Sequence, residues 1–139
     1  MRTNENKPKQ NLKDLLKLGF QHAGDFFLEE NKLRFFLNEY KNDIGSYAFV
    51  VDQTVKYVGV TKNTLYVRMN GYKNPGPSQE TNKRINPKIT EAGKVQIYFL
   101  PESEITEFVT IIRRDDIEKQ IPADMHTFER FLISVFKPG

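Results

Sequence analysis

The sequence predicts an α+β fold: a three-stranded antiparallel sheet flanked by helices, with an N-terminal helix and β-hairpin added in front. Three observations carry this. Tyr47-Ala48-Phe49-Val50-Val51 is an apolar run of strand length, and Val55 to Val60 is a second β-rich run just beyond it. Leu65, Met69 and Tyr72 follow at i, i+4 and i+7, the spacing of one helix face. Val95-Gln96-Ile97-Tyr98-Phe99-Leu100 alternates well enough for a third strand.

The elements can be justified in chain order. Residues 1–10 are polar, without an apolar period, and read as a disordered tail. Leu12, Leu15, Leu16 and Phe20 fit a short amphipathic helix ending near Gly19. Phe26-Phe27-Leu28 and Leu33-Arg34-Phe35-Phe36-Leu37 flank the polar Glu29-Glu30-Asn31-Lys32. They predict an accessory hairpin from Asp25 to Leu37, which extends the sheet or stands beside it. His22 lies just ahead of it and reads as a surface or hydrogen-bonded residue rather than a ligand. The sheet strands are 46–52, 55–60 and 95–100, and Asn63 or Thr64 caps a helix over 64–72. Residues 73–89 hold three prolines and a glycine and predict an irregular loop. Ile105, Phe108, Val109 and Ile112 suit an amphipathic helix over 105–112, although the β-branched run at 109–112 also suits a strand. Asp124 caps a last helix over 125–136, which Pro138 stops. The expected organisation is tail 1–10, N-terminal addition 11–44 and core 45–139.

Bulk properties bound the function. A chain of 139 residues has the mass for one domain and one core. No window approaches the roughly 18 apolar residues of a membrane span. The N-terminus lacks the apolar segment of a signal peptide, so a cytoplasmic location is the default expectation. Zero cysteines exclude disulfides and thiolate metal sites. The net charge of +3 mildly favours a polyanionic partner.

Hairpin register decides whether two tyrosines can act together, because side chains alternate along a strand. A two-residue loop sets Tyr57 on the face opposite Tyr47. A three-residue loop over Asp52 to Thr54, or a bulge with the same effect, sets Tyr57 opposite Phe49 and on Tyr47's face. The odd register is the one expected.

Several residues are candidates for chemistry. Arg68 borders the apolar face of its helix, where it would form a surface ion pair or clamp a phosphate. Tyr47, Tyr57 and Tyr72 would serve singly as core aromatics, but gathered at one spot they would form a site. Glu129 has Met125, Leu132, Ile133 and Phe136 on its flank, so its carboxylate needs a cation, a hydrogen-bond network or a metal. Arg130 or Arg113 could supply a salt bridge. His126 stands at i−3, but a lone His-x-x-Glu pair is a weak metal signal. Lys73, Lys83, Arg84 and Lys88 in the 73–89 segment read equally as a solvated loop or as phosphate contacts, with Lys62 nearby. Asn82 or Asn86 would then be available to base edges.

Taken in order, Gly45-Ser46-Tyr47, Tyr57-Val58-Gly59, Arg68 and the Glu129 of FERFLISVFKP resemble the signature of the GIY-YIG nuclease family. The resemblance covers residues 45–139. Ser46 and Val58 stand where the family has isoleucine. Tyr72 stands where it often has histidine, a variant known among restriction-type members. The asparagine that often follows the final proline has no counterpart. The resemblance implies a DNA endonuclease that uses one Mg²⁺, with Mn²⁺ as a substitute, and leaves 5′ phosphate and 3′ hydroxyl ends. Glu129 would hold the metal, Arg68 would offset charge on the phosphate and Tyr47 would deprotonate the attacking water. Tyr57 would support that water, and Tyr72 would complete the site. The compact chain is similar to the restriction-type branch, which often acts on duplex DNA as a homodimer. The alternatives are a nucleic-acid-binding module that does not cut, and a small interaction domain.

Overall fold

A computed structural model describes residues 7–76 and 79–105 of the chain. In order they form α1 (Lys7–Lys17), β1 (Gln21–Glu29), β2 (Lys32–Leu37), β3 (Gly45–Val51), β4 (Thr54–Thr61), α2 (Leu65–Lys73), α3 (Glu80–Ala92) and β5 (Lys94–Pro101). The class is α+β, as expected, but the sheet has five strands rather than three, in the order β2-β1-β5-β3-β4. Every neighbouring pair is antiparallel. The extra strands are the N-terminal hairpin. It pairs through β1 with the side of β5 that β3 leaves open, so no backbone edge is left bare in the middle of the sheet.

The sheet divides two apolar cores. On the α1 side, Leu15 and Phe20 pack with Ala48, Val50, Val55, Val58, Leu100 and Ile105. On the α2 and α3 side, Leu65, Met69, Tyr72, Ile85 and Ile89 pack with Phe26, Tyr47, Phe49, Ile97 and Phe99. That explains the unbroken apolar run of β3, which is covered on both faces. Gly45 begins β3 because a Cβ there would lie 2.2 Å from the Leu100 carbonyl oxygen.

The β3–β4 hairpin reaches the expected faces through a bulge. Its turn is the two-residue Asp52-Gln53, both at positive φ (51° and 66°). Val50 pairs with Val55 and Phe49 with Tyr57, so Lys56 falls between two rungs. Val55 and Tyr57 are two residues apart and would share a face in a regular strand. The bulge turns Val55 toward α1 and Tyr57 toward α2.

Three boundaries differ from the sequence reading. The first helix begins at Lys7 rather than near Leu12, with Pro8 in its first turn, where proline's missing N–H is harmless. Strand β1 begins at Gln21, so His22 lies within it, and its Nε2 is 3.1 Å from Asp25 Oδ1. The segment 73–89 is not a loop throughout, because α3 occupies its second half. Ile85, Ile89 and Asn82 bury one side of α3, which offsets the cost of Pro87. Pro87 itself is exposed. Gly93, at φ 81°, ends the helix and donates its N–H to the Ile89 carbonyl. Residues 102–105 are helical. The helices expected near 105–112 and 125–136, with His126 and Glu129, lie outside the described residues. Among the described residues, no helix is long and apolar enough to cross a membrane.

Candidate active site

Helix α2 is fixed before its side chains are placed. Thr64 caps it, accepting from the Val67 N–H at 3.2 Å. The Leu65 and Tyr66 N–H groups donate to the Asp43 and Lys41 carbonyls at 2.8 and 3.1 Å, tying the first turn to the chain entering β3. Leu65, Met69 and Tyr72 are buried, which sets Arg68 at the margin of the buried face. One turn separates Arg68 from Tyr72, so guanidinium and phenol lie side by side.

Four elements, β3, β4, α2 and α3, supply one cluster. Arg68 Nε donates to Tyr47 Oη at 3.1 Å and Arg68 Nη2 to Tyr72 Oη at 2.9 Å. The two phenol oxygens are 2.7 Å apart and share a hydrogen bond. Arg68 Nη1 donates to Asn82 Oδ1 on α3 at 2.8 Å. The Tyr57 ring completes the group, its centroid 6.3 Å from that of Tyr47 and 6.4 Å from that of Tyr72. Glycine at 59 is required by this packing: a Cβ there would lie 2.6 Å from Tyr47 Oη.

The electrostatics follow from burial. Tyr47 and Tyr72 are essentially inaccessible, at 1% and 0% exposure. Burial pushes the Tyr47 hydroxyl up to about 12, although the Arg68 guanidinium pulls the other way. Tyr72 is raised further still, by burial first and then by the adjoining Tyr47. For Arg68, burial acts to lower its value, but the neighbouring phenols, Tyr47 first, then Tyr72 and Tyr57, outweigh it and the net shift is upward. Tyr47 and Tyr72 are therefore neutral at neutral pH, beside the one fixed positive charge of Arg68. Three of the five Arg68 N–H groups are engaged. Among the described residues it has no carboxylate partner. A half-buried guanidinium with two donors left open by the described residues suits a phosphate.

Tyr47, Tyr57, Arg68 and Tyr72 are thus brought together, whereas Glu129 lies outside the described residues. Lys62 is exposed ahead of α2, and Lys73 ends it. Lys83, Arg84 and Lys88 are exposed on α3, with Lys83 Nζ 3.4 Å from Glu80. Asn86 donates to the Tyr72 carbonyl at 2.7 Å and so ties α3 to α2. Asn82 is not available to base edges as the sequence suggests, because its amide is engaged inside the protein by Arg68 and Gln79. The signal that could have revealed this is its place at i−3 and i−7 from Ile85 and Ile89, on one helix face.

No protein-family model matches the chain, and a comparison with curated proteins found no match. Solved nucleases share its fold. The chain is similar to a mutant of bacteriophage T4 EndoII over 66% of its own length and 73% of that chain, with a TM-score of 0.51 and 18% identity. It is similar to restriction endonuclease HPY188I in complex with product DNA over 68% of its length and 67% of that chain, with a TM-score of 0.52 and 20% identity.

Proposed function

We propose that the protein is a restriction-type DNA endonuclease that hydrolyses phosphodiester bonds to give 5′ phosphate and 3′ hydroxyl ends. The observation that carries this is Arg68, a half-buried cation beside buried phenols, with two of its donors unused among the described residues. The fold likeness to two endonucleases, one holding product DNA, supports DNA as the substrate.

Arg68 binds the scissile phosphate and offsets charge that grows on its non-bridging oxygens. Tyr57, less buried than its neighbours, orients the attacking water. Tyr47, once ionised to its phenolate, takes the water's proton, and Tyr72 holds the Tyr47 oxygen in place through the 2.7 Å contact. The cluster's guanidinium matches a phosphate, and Mg²⁺ needs only one or two carboxylates besides water and phosphate oxygens. Glu129 is the residue that would hold Mg²⁺ or a substituting Mn²⁺. When bound, the metal supplies Lewis-acid stabilisation of the leaving oxygen. Lys62, Lys73, Lys83, Arg84 and Lys88 contact phosphates along the duplex. A homodimer on duplex DNA would cut both strands.

Supercoiled plasmid, with and without Mg²⁺, tests this reading. The wild-type protein is expected to nick or linearise it, and Arg68→Ala and Glu129→Ala to lose on the order of 100-fold in rate each. Undiminished cleavage by both variants defeats the assignment. One observation favours a binding module that does not cut: Tyr47 and Tyr72 both hold their protons firmly at neutral pH. That alternative predicts a gel shift without cleavage.

A further inference from the structure

We propose that Asn82 is a positioning residue, whose buried side-chain oxygen sets the angle of the Arg68 guanidinium against the two phenols and keeps its remaining donors presented to a phosphate. Asn82 is 2% exposed, so both ends of its amide must find partners inside the protein. Oδ1 accepts from Arg68 Nη1 at 2.8 Å, and Nδ2 donates to Gln79 Oε1 at 3.0 Å. Gln79 Oε1 also accepts the Gly76 N–H at 2.7 Å. Reversing the amide would set donor against donor at Arg68 and acceptor against acceptor at Gln79. The partners therefore dictate its orientation.

The close approach is built into α2. A Cβ on Gly71 would lie 3.0 Å from Asn82 Nδ2, so glycine at that position lets α3 come near enough for contact. Tyr47 and Tyr72 hold Nε and Nη2, whereas Asn82 alone holds Nη1 among the described residues. Without Asn82 the planar group is free to tilt toward the phenols. A displacement of about 1 Å in a charge-stabilising group costs on the order of 100-fold in rate.

The kinetic part of this inference rests on the nuclease reading, but the structural part does not. The test therefore has two arms. The first follows the Arg68 Nε–H resonance by ¹H–¹⁵N NMR in the free protein, assigned by its disappearance in Arg68→Lys. A sharp, slowly exchanging signal is expected in the wild type, lost in Asn82→Ala and retained in Asn82→Asp, which keeps an acceptor oxygen. Should Asn82→Ala fail to fold, Gln79→Ala at an exposed position decides, with faster exchange of the same signal expected. An unchanged resonance in whichever variant is read overturns the inference. The second arm measures plasmid cleavage. For Asn82→Ala, kcat is expected to fall about 10- to 100-fold while KM changes less than about threefold. A wild-type kcat in that variant also overturns the inference. A wild-type protein that does not cut at all sinks the nuclease reading and leaves the first arm to judge Asn82.

Discussion

A hydroxyl beside a guanidinium ought to ionise more readily, yet Tyr47 does the reverse because burial outweighs its neighbour. Two predictions follow from the sign. As a general base Tyr47 must act as its phenolate, whose fraction grows about tenfold per pH unit below 12. Cleavage should therefore accelerate by about that slope between roughly pH 7 and pH 9, and a flat profile would remove Tyr47 from the role. The same shift has a stability consequence. The folded phenol ionises near 12 and the unfolded one near its ordinary 10.0, so stability is whole below pH 10 and drains away as pH rises toward 12. At pH 11 this amounts to about 1 kcal/mol for Tyr47. In Tyr47→Phe the decline in urea-unfolding free energy from about pH 9 to pH 11 should be smaller by that amount. The four cluster residues with motif positions, Tyr47, Tyr57, Arg68 and Tyr72, were legible in the sequence. Asn82 was not legible as a ligand of Arg68, since a buried amide looks like any surface asparagine until its partners are known.

At the scale of elements, short apolar or β-rich runs exposed β3 and β4, and recurrence at 2 or 3.6 exposed β5 and α2. Helix α3 was hidden by Pro87 and by a segment rich in turn residues, and only Ile85 and Ile89 hinted at it. The turn of the β3–β4 hairpin holds a further expectation. Gln53 at φ 66° occupies backbone space that costs an ordinary side chain about 1 kcal/mol and costs glycine nothing. Gln53→Gly should raise the calorimetric Tm by several degrees. No rise would mean that the turn carries no such strain.

For the whole molecule, the sequence foretold the N-terminal helix and hairpin but not their placement. Pairing of β1 with β5 joins residues some seventy positions apart, and no local pattern records such a choice. The result is a sheet with separate cores on its two sides, and the Arg68 cluster touches only one. Leu15 is fully buried in the other. Leu15→Ala should cost about 2–5 kcal/mol in thermal or urea unfolding. Below the lowered Tm its cleavage kcat should match the wild type. A large kcat defect in folded Leu15→Ala would show that the sheet transmits disturbance from one side to the other.

Lys56 is, in arithmetic terms, surplus. Excising it would leave Val50 facing Val55 and Phe49 facing Tyr57 as successive rungs, with each ring on the side it already occupies. Such a shortened chain would surrender only the added coiling that an irregular rung imparts to a hairpin. The gap between the two proteins would isolate how far that coiling, rather than the identity of the phenol, aims Tyr57 toward Arg68.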